Sequence, residues 1–331
     1  MSRRIHFWFT AFQDLDKPVG GVKQLHRTCE CLELLGHDAT LIQNNVSSQP
    51  FWFSSYAKKI AKDEWISNCT SLSSSTNVLV LPETYLPALN KWAPQLPKII
   101  FNQNSAYTFG ASRSPKVLKV SVARKLYNST RQIWCVSEYD RRFLSSLFDV
   151  NDTKVFRIYN SIDSSRYPFP CQKKRQIAFM PRKNSKHSSI VIPILSSMKI
   201  FQDWKFVPIH MMSQSEVFSV LADSSLFLSF GHPEGFGLPV AEAMSLGCMV
   251  VGYSGLGGQE LFDIGQNAGT CWKVEFGDLL NFVQSVVLAI ESLHQENISK
   301  QLLSVAKSIR ENYNQTRMVN SIENALDSLY I

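Results

Sequence analysis

Nowhere in this 331-residue chain do about 18 apolar residues follow one another, so no segment is long and apolar enough to cross a bilayer as a helix. Cysteine is sparse: its seven occurrences, at positions 29, 31, 69, 135, 171, 248 and 271, are odd in number and include no C-x-x-C pair. That spacing excludes a disulfide scaffold and a zinc ribbon. Settings such as IWCV and LGCMVV point instead to buried thiols in a reducing compartment. The seven histidines show no metal-ligand spacing. The opening MSRRIHFWFTAF runs into Asp14 and Asp16 rather than into a small-residue cleavage site, so no leader peptide is expected and the expected location is cytoplasmic.

Acidic residues are missing altogether from 84 to 137, a span that holds Lys91, Lys98, Arg113, Lys116, Lys119, Arg124, Lys125 and Arg131. The imbalance is general, because residues 1–165 hold 20 Lys and Arg against 13 Asp and Glu whereas residues 166–331 hold 14 of each. The first half is thus expected to face something anionic. Within it, PKVLKVSVARKLY as a helix would set Val117, Leu118, Val122 and Leu126 beside Lys116, Lys119, Arg124 and Lys125, an arrangement suited to peripheral contact with an anionic membrane. The basic residues lack the interleaved aromatics of a base-stacking platform, which speaks against a nucleic-acid partner.

What is present is the alternation of a parallel α/β protein. RIHFWFTAF, DATLIQ, NVLVLPE, KIIFNQ, RQIWCVS and KVFRIY are apolar, β-rich runs, and VKQLHRTCECLELLG between the first two has a helical period. The polar stretch SNCTSLSSST is expected to be a loop. Periodicity lapses around SIDSSRYPFPCQKKR, where Pro168 and Pro170 mark a linker, and then restarts. QIAFMP, WKFVPIH, SSLFLSF and GCMVVGY are the expected strands of a second unit, and the chain is helical in pattern from about Leu279 onward. Two α/β units, 1–165 and 166–311, are therefore expected, with a ligand cleft at the carboxyl ends of their strands.

The most informative segment is GHPEGFGLPVAEAMSLG at 231–247. A strand enters a glycine turn, Gly235-Phe236-Gly237, and a helix starts near Leu238 with Pro239 in its first turn. Free N–H groups at such a start attract phosphate, and the glycines allow close approach of a ligand to the main chain. Glu234 before the turn and Glu242 within the helix are suited to accept hydrogen bonds from sugar hydroxyls. Upstream, FMPRKNSKH follows a strand and supplies Arg182, Lys183 and Lys186.

The E-x7-E spacing of Glu234 and Glu242 within HPEGFGLPVAEAM resembles the donor motif of the family 4 retaining glycosyltransferases, also called glycosyl transferases group 1, which have the GT-B fold of two Rossmann-like α/β/α domains. The resemblance covers nearly the whole chain: Gly20-Gly21 matches a glycine pair in the first strand-to-helix loop, and LLGHDATLI, WCVSEYDRRFL and IYNSID fall where related segments lie. Tyr159 and Ser161 stand where the family has Pro and Gly, and Pro181 where it has Gly.

The resemblance implies metal-independent transfer, with retention, from a nucleotide diphosphate sugar to a glycan or lipid-linked acceptor, without a cofactor. It implies that Glu234 contacts the donor sugar, that Glu242 binds the ribose, and that amides of Gly235, Phe236, Gly237 and Leu238 bind diphosphate. Arg182 and Lys186 would neutralise the leaving diphosphate, with Lys183 as a substitute for Lys186. Gly20, Gly21 and Asn104, beside Gln103, would complete the donor site, and a final helix at 312–331 would return to the first domain. A non-catalytic subunit with the same pocket is the alternative. Asp14-Leu15-Asp16 spells D-x-D and is read as a solvated turn rather than a metal site.

Overall fold

The computed structural model describes residues 4–11, 18–46, 49–109, 118–169 and 172–329. Asp14, Asp16, Arg113, Lys116, Val117, Pro170 and Cys171 lie outside the described residues. The chain divides into two compact units, one made of Met1–Ser161 with Gln315–Ile331 and the other of Ile162–Asn314.

The first unit is built on strands β1 (His6–Thr10), β2 (Asp38–Gln43), β3 (Lys58–Ala61), β4 (Asn77–Pro82), β5 (Lys98–Asn102), β6 (Gln132–Cys135) and β7 (Val155–Arg157). They pair in the order β3-β2-β1-β4-β5-β6-β7, every ladder parallel. Parallel strands need crossovers, which helices α1 (Gly20–Leu34), α2 (Lys62–Asn68), α3 (Val120–Ser129) and α4 (Glu138–Phe148) help to provide. Because helices cover both faces, the strands are apolar throughout: β1 buries Phe7, Trp8 and Phe9, and β4 buries Val78 through Leu81. On one face Trp8, Trp65, Leu79, Leu81, Ile100, Tyr127 and Phe148 belong to a single packed cluster.

The second unit holds β8 (Lys174–Phe179), β9 (Lys205–Pro208), β10 (Ser224–Ser229), β11 (Met249–Gly252) and β12 (Cys271–Lys273) in the order β12-β11-β10-β8-β9, again wholly parallel. Its helices are α5 (Ser185–Ser197), α6 (Gln214–Asp223), α7 (Leu238–Ser245), α8 (Gln259–Asn267), α9 (Leu279–Ser292) and α10 (Ile298–Asn312). Ser213 and Glu216 form a reciprocal capping box that fixes the start of α6. The last helix, α11 (Gln315–Asp327), belongs to the first unit. There Gln132 Nε2 donates to the Ala325 carbonyl at 2.7 Å and Arg131 to the Leu329 carbonyl at 3.0 Å.

The structure departs from the sequence reading at three places. Strands β3 and β12 were not expected, because KKIA is an exposed edge strand and CWK is only three residues long. The polar stretch SNCTSLSSST is not all loop: α2 runs into it as far as Asn68 and a 3-10 turn occupies Cys69–Ser71, held down by buried Trp65 and Cys69. Segment 118–129 is helical from Val120, but Leu118 and Leu126 pack against the sheet's core instead of facing outward. Val122 is exposed, and Arg124 pairs with Asp149 at 3.1 Å. Only part of the expected apolar surface is therefore free.

Each parallel sheet gathers its loops at the carboxyl ends of its strands. In the first unit the residue after β4 is Glu83, only 3% exposed, whose carboxylate accepts the Gln103 N–H at 3.0 Å. Burial pushes this carboxyl up to about 8, against the opposing pull of backbone N–H donors at Gln103 and Asn104. Between its ordinary 4.5 and about 8 the folded chain holds a proton that the unfolded chain releases, so this group subtracts stability as pH rises through that window. Glu83→Gln should accordingly raise the melting temperature by several degrees at about pH 8 and leave it nearly unchanged at about pH 4. Circular dichroism melts at the two pH values check this, and an equal shift at both would count against a buried carboxyl as the source.

Candidate functional site

Strand β10 is buried along its whole length, and the chain leaves it through Phe230 into the segment 231–238. Glu234 is clamped there by the loop that follows β11. Its N–H donates to the Gly255 carbonyl at 2.6 Å and its carbonyl accepts the Gly257 N–H at 3.0 Å, a parallel bridge to Leu256. The approach leaves no room for a side chain at Gly255, where a Cβ would lie 2.6 Å from Glu234 Cβ and 2.8 Å from the Gly231 carbonyl oxygen. Gly255 also has φ of +69°, so two independent reasons demand glycine.

Helix α7 starts immediately after this clamp. Its N-cap residue, Gly237, is left-handed with φ of +88° and has no side chain to cap the first turn, and Pro239 sits at the helix start. The N-terminal end of α7 thus carries partial positive charge uncovered by any capping group of its own sequence. Phe236 is 3% exposed and packs on Tyr313 with ring centroids 4.9 Å apart, and the Tyr313 hydroxyl donates to Glu260 Oε1 at 2.9 Å. Gly235 and Gly237 are buried, while Glu234, Leu238 and Glu242 are half-buried.

The basic loop after β8 is fastened to the same turn. Asn184, left-handed with φ of +51°, donates its side-chain amide to the carbonyls of Phe230 at 2.7 Å and His232 at 3.0 Å. Lys183 Nζ donates to the Pro233 carbonyl at 3.0 Å and pairs with Glu234 Oε1 at 2.8 Å. Both members of that pair keep about a quarter of their side-chain surface exposed, at 26% and 23%, so water screens it and it adds little stability. Of the three cations read from the sequence, Lys183 touches Glu234, whereas Arg182 and Lys186 have exposed side chains, Lys186 in the first turn of α5. The spacing argument that favoured Lys186 missed this contact, because the left-handed Asn184 turns the loop between the two lysines.

Beside the turn, the His232 ring stacks on Phe276 at 4.2 Å between centroids. Burial, and next the charge of Lys183, hold this imidazole below its ordinary range, so it is neutral near neutral pH. His187 Nδ1 and the Tyr253 hydroxyl are 2.9 Å apart in the same aromatic group. Phe276, Tyr313 and Glu260 carry no motif of their own in the sequence.

In the first unit, Gly20 and Gly21 open α1 without a side-chain cap. Gln103 Nε2 donates to the Gly21 carbonyl at 3.0 Å, and a Cβ at Gly21 would meet Gln103 Oε1 at 2.5 Å. Asn104 instead accepts the Ala106 N–H at 3.1 Å and caps the turn after β5, so its oxygen already has a structural task. The residues that depart from the resemblance are accommodated. Tyr159 lies within 4.2 Å of the Arg157 guanidinium and 4.7 Å of that of Arg317, and the Ser161 carbonyl accepts from Gln24 Nε2 at 3.2 Å. Among the described residues no cluster of three or more His, Cys, Asp or Glu is placed to hold a metal, and no helix is long and apolar enough to cross a membrane.

No family model matches the chain. A segment of 126 residues is 33% identical to an alpha-1,6-glucosyltransferase of Actinobacillus pleuropneumoniae serotype 7 (strain AP76), covering 37% of this chain and 38% of the length of that protein. Among solved structures, Anabaena HepE in complex with UDP-glucose superposes with a TM-score of 0.72 at 12% identity, over 98% of this chain and 100% of that one. The pneumococcal O-GlcNAc transferase GtfA in complex with UDP and GlcNAc superposes at 0.69 and 10% identity, over 99% and 100% of the two chains. At such identities the likeness speaks for the fold, and the fold is GT-B.

The clamp on Glu234 has a measurable consequence. Gly255→Ala should cost roughly 2–4 kcal/mol, a left-handed backbone penalty plus a steric one, whereas Gly277→Ala should cost only about 1 kcal/mol. Gly277 has φ of +93° but nothing within 4 Å of its would-be Cβ, so it isolates the backbone term. Urea titrations of the two variants give the difference, and equal losses would mean that Gly255 is not a point of close approach.

Proposed function

We propose that this chain is a family 4 retaining glycosyltransferase that moves a sugar from a nucleotide diphosphate sugar to a glycan or lipid-linked acceptor. The observation that carries the reading is the second unit's turn. There one carboxylate, Glu234, one ammonium, Lys183, and the uncapped start of α7 converge after β10, with Glu242 one turn into the helix. Carboxylates there suit the hydroxyls of a sugar and a ribose, and backbone amides with a cation suit a diphosphate. The GT-B fold and the partial identity to a glucosyltransferase support the same class, and the UDP complexes of fold neighbours make UDP-glucose the first donor to test.

In the proposed reaction the bond between the anomeric carbon and the diphosphate oxygen breaks and the acceptor oxygen bonds to that carbon on the same face. A leaving phosphate oxygen takes the acceptor's proton. Charge builds on the diphosphate, and Arg182, Lys183 and Lys186 with the amides of Gly235, Phe236, Gly237 and Leu238 oppose it. Glu234 orients the donor sugar and Glu242 the ribose, so neither acts as a nucleophile. On this reading Gly20, Gly21 and Asn104 belong to the donor-binding set, and neither cofactor nor metal takes part. Peripheral attachment to an anionic membrane would rest on Val120, Val122, Lys119 and Lys125, since Leu118 and Leu126 face the core.

Incubation with UDP-glucose and other nucleotide sugars, without acceptor, should release nucleoside diphosphate slowly. Glu242→Ala should weaken nucleotide binding about ten- to a hundredfold, while Glu234→Ala should chiefly lower turnover, each losing a charge-assisted hydrogen bond of roughly 1.5–3 kcal/mol. Variants that bind and turn over like the parent would sink the donor assignment. Binding of nucleotide sugar with no release under any condition would favour the non-catalytic subunit. Activity should also survive EDTA; a complete loss restored by Mn²⁺ would overturn the metal-independent route and promote Asp14 and Asp16.

A further inference from the structure

The last turn of α10 and the residue that follows it reach both ends of α7. Arg310 Nε donates at 2.8 Å to the carbonyl of Ser245, the final residue of α7, and Arg310 Nη2 donates to the Tyr167 carbonyl at 3.0 Å. A guanidinium suits that place, because the carboxyl end of a helix carries partial negative charge and carbonyls without helical partners. Three residues later Tyr313 ends α10 and packs its ring on Phe236, which stands two residues before α7 begins. A helix of eight residues is roughly 12 Å long, and these two long side chains between them hold it at either end.

Tyr313 also holds the neighbouring loop. Its hydroxyl donates to Glu260, which lies in the first turn of α8. The chain entering α8 runs close along the turn after β10, for at Gly258 a Cβ would lie 2.9 Å from the Phe236 carbonyl oxygen. The ring of Tyr313 thus meets one loop and its hydroxyl the other. Tyr313 is itself fixed: it is 4% exposed, its N–H donates to the Ile309 carbonyl at 2.9 Å, and its carbonyl accepts the Ile162 N–H at 3.0 Å.

We propose that Tyr313 is a positioning residue of the donor site, which aims the N–H groups of Phe236, Gly237 and Leu238 at the diphosphate without touching it. The role rests on the reading of this chain as a nucleotide-sugar transferase. Backbone amides at a helix start cannot swing one by one as side chains do; their aim is that of the helix and of the turn leading into it. Hydrogen bonds weaken steeply as they bend, so a small tilt of α7 is felt by every amide at once. The ring sets the direction of α7 through Phe236, and the hydroxyl sets the spacing of the two loops through Glu260.

Titrations of the full chain with UDP and with uridine, followed by amide resonances, separate this role from a merely structural one. Uridine keeps the base and the ribose that Glu242 would hold, but brings no phosphate to the start of α7. Tyr313→Phe keeps the ring and loses the hydrogen bond, and should weaken UDP about fivefold; Tyr313→Leu also loses the ring and should weaken it about tenfold to a hundredfold. Uridine affinity should stay within about twofold of the parent in both variants, whereas Glu242→Ala should weaken both ligands. Circular dichroism melts show that the variants are folded at the temperature of the titration. UDP affinity like the parent's in Tyr313→Leu, or equal losses for UDP and uridine, would reduce Tyr313 to a core residue and overturn the proposal. A parent that binds neither ligand would instead defeat the donor reading, and the positioning role with it.

Discussion

Backbone pressed against backbone, at the bridge between Glu234 and Leu256, is what the second unit's chemistry hangs on. The loops after β10 and β11 meet there, and they meet closely only because Gly255 brings no side chain to the contact. Once Glu234 is fixed in this way its carboxylate has a defined partner in Lys183, and the chain that follows has a defined direction into α7. A parallel sheet makes the arrangement possible because it delivers successive loops to one edge, where they can be packed against each other.

The same clamp accounts for the basic loop. Asn184 holds the carbonyls on either side of Gly231, and this latch positions Lys183 against Pro233 and Glu234. The exposed Arg182 and Lys186 flank this fixed centre, Arg182 in the loop and Lys186 in the first turn of α5. A cation that is anchored and one that is free to swing differ in what they contribute to a charged ligand: the first is already ordered, and the second gives up side-chain entropy when it binds.

Around β4 to β7 two buried acids and a group of cations lie at opposite edges of the first unit's sheet. At the carboxyl edge Glu83 and Asp140 are buried acids, placed to receive backbone N–H groups from the loop after β5. At the amino edge Lys98, Arg131 and Lys154 face a polar cavity. A net charge for the whole chain hides this separation, and so does the run of basic residues in 84–137, since a strand places neighbours in sequence far from the partners they meet across the sheet.

Much was legible before any coordinates. Most of the strands stood out because a sheet covered on both faces requires nearly continuous apolar runs, and the segment 231–247 stood out because a glycine turn, a proline at a helix start and two acids seldom coincide without a shared purpose. Strands β3 and β12 did not, since short edge strands carry no such run. Lys183 could be named as a candidate but not chosen over Lys186, because one left-handed residue between them decides which points at Glu234. The inward packing of Leu118 and Leu126 was equally hidden, as amphipathic spacing gives a helix an apolar face without saying whether core or solvent receives it. Local pattern settles which residues form strand, turn and helix; which loop reaches which carboxylate, and where charges gather, is settled by packing between segments distant in the chain.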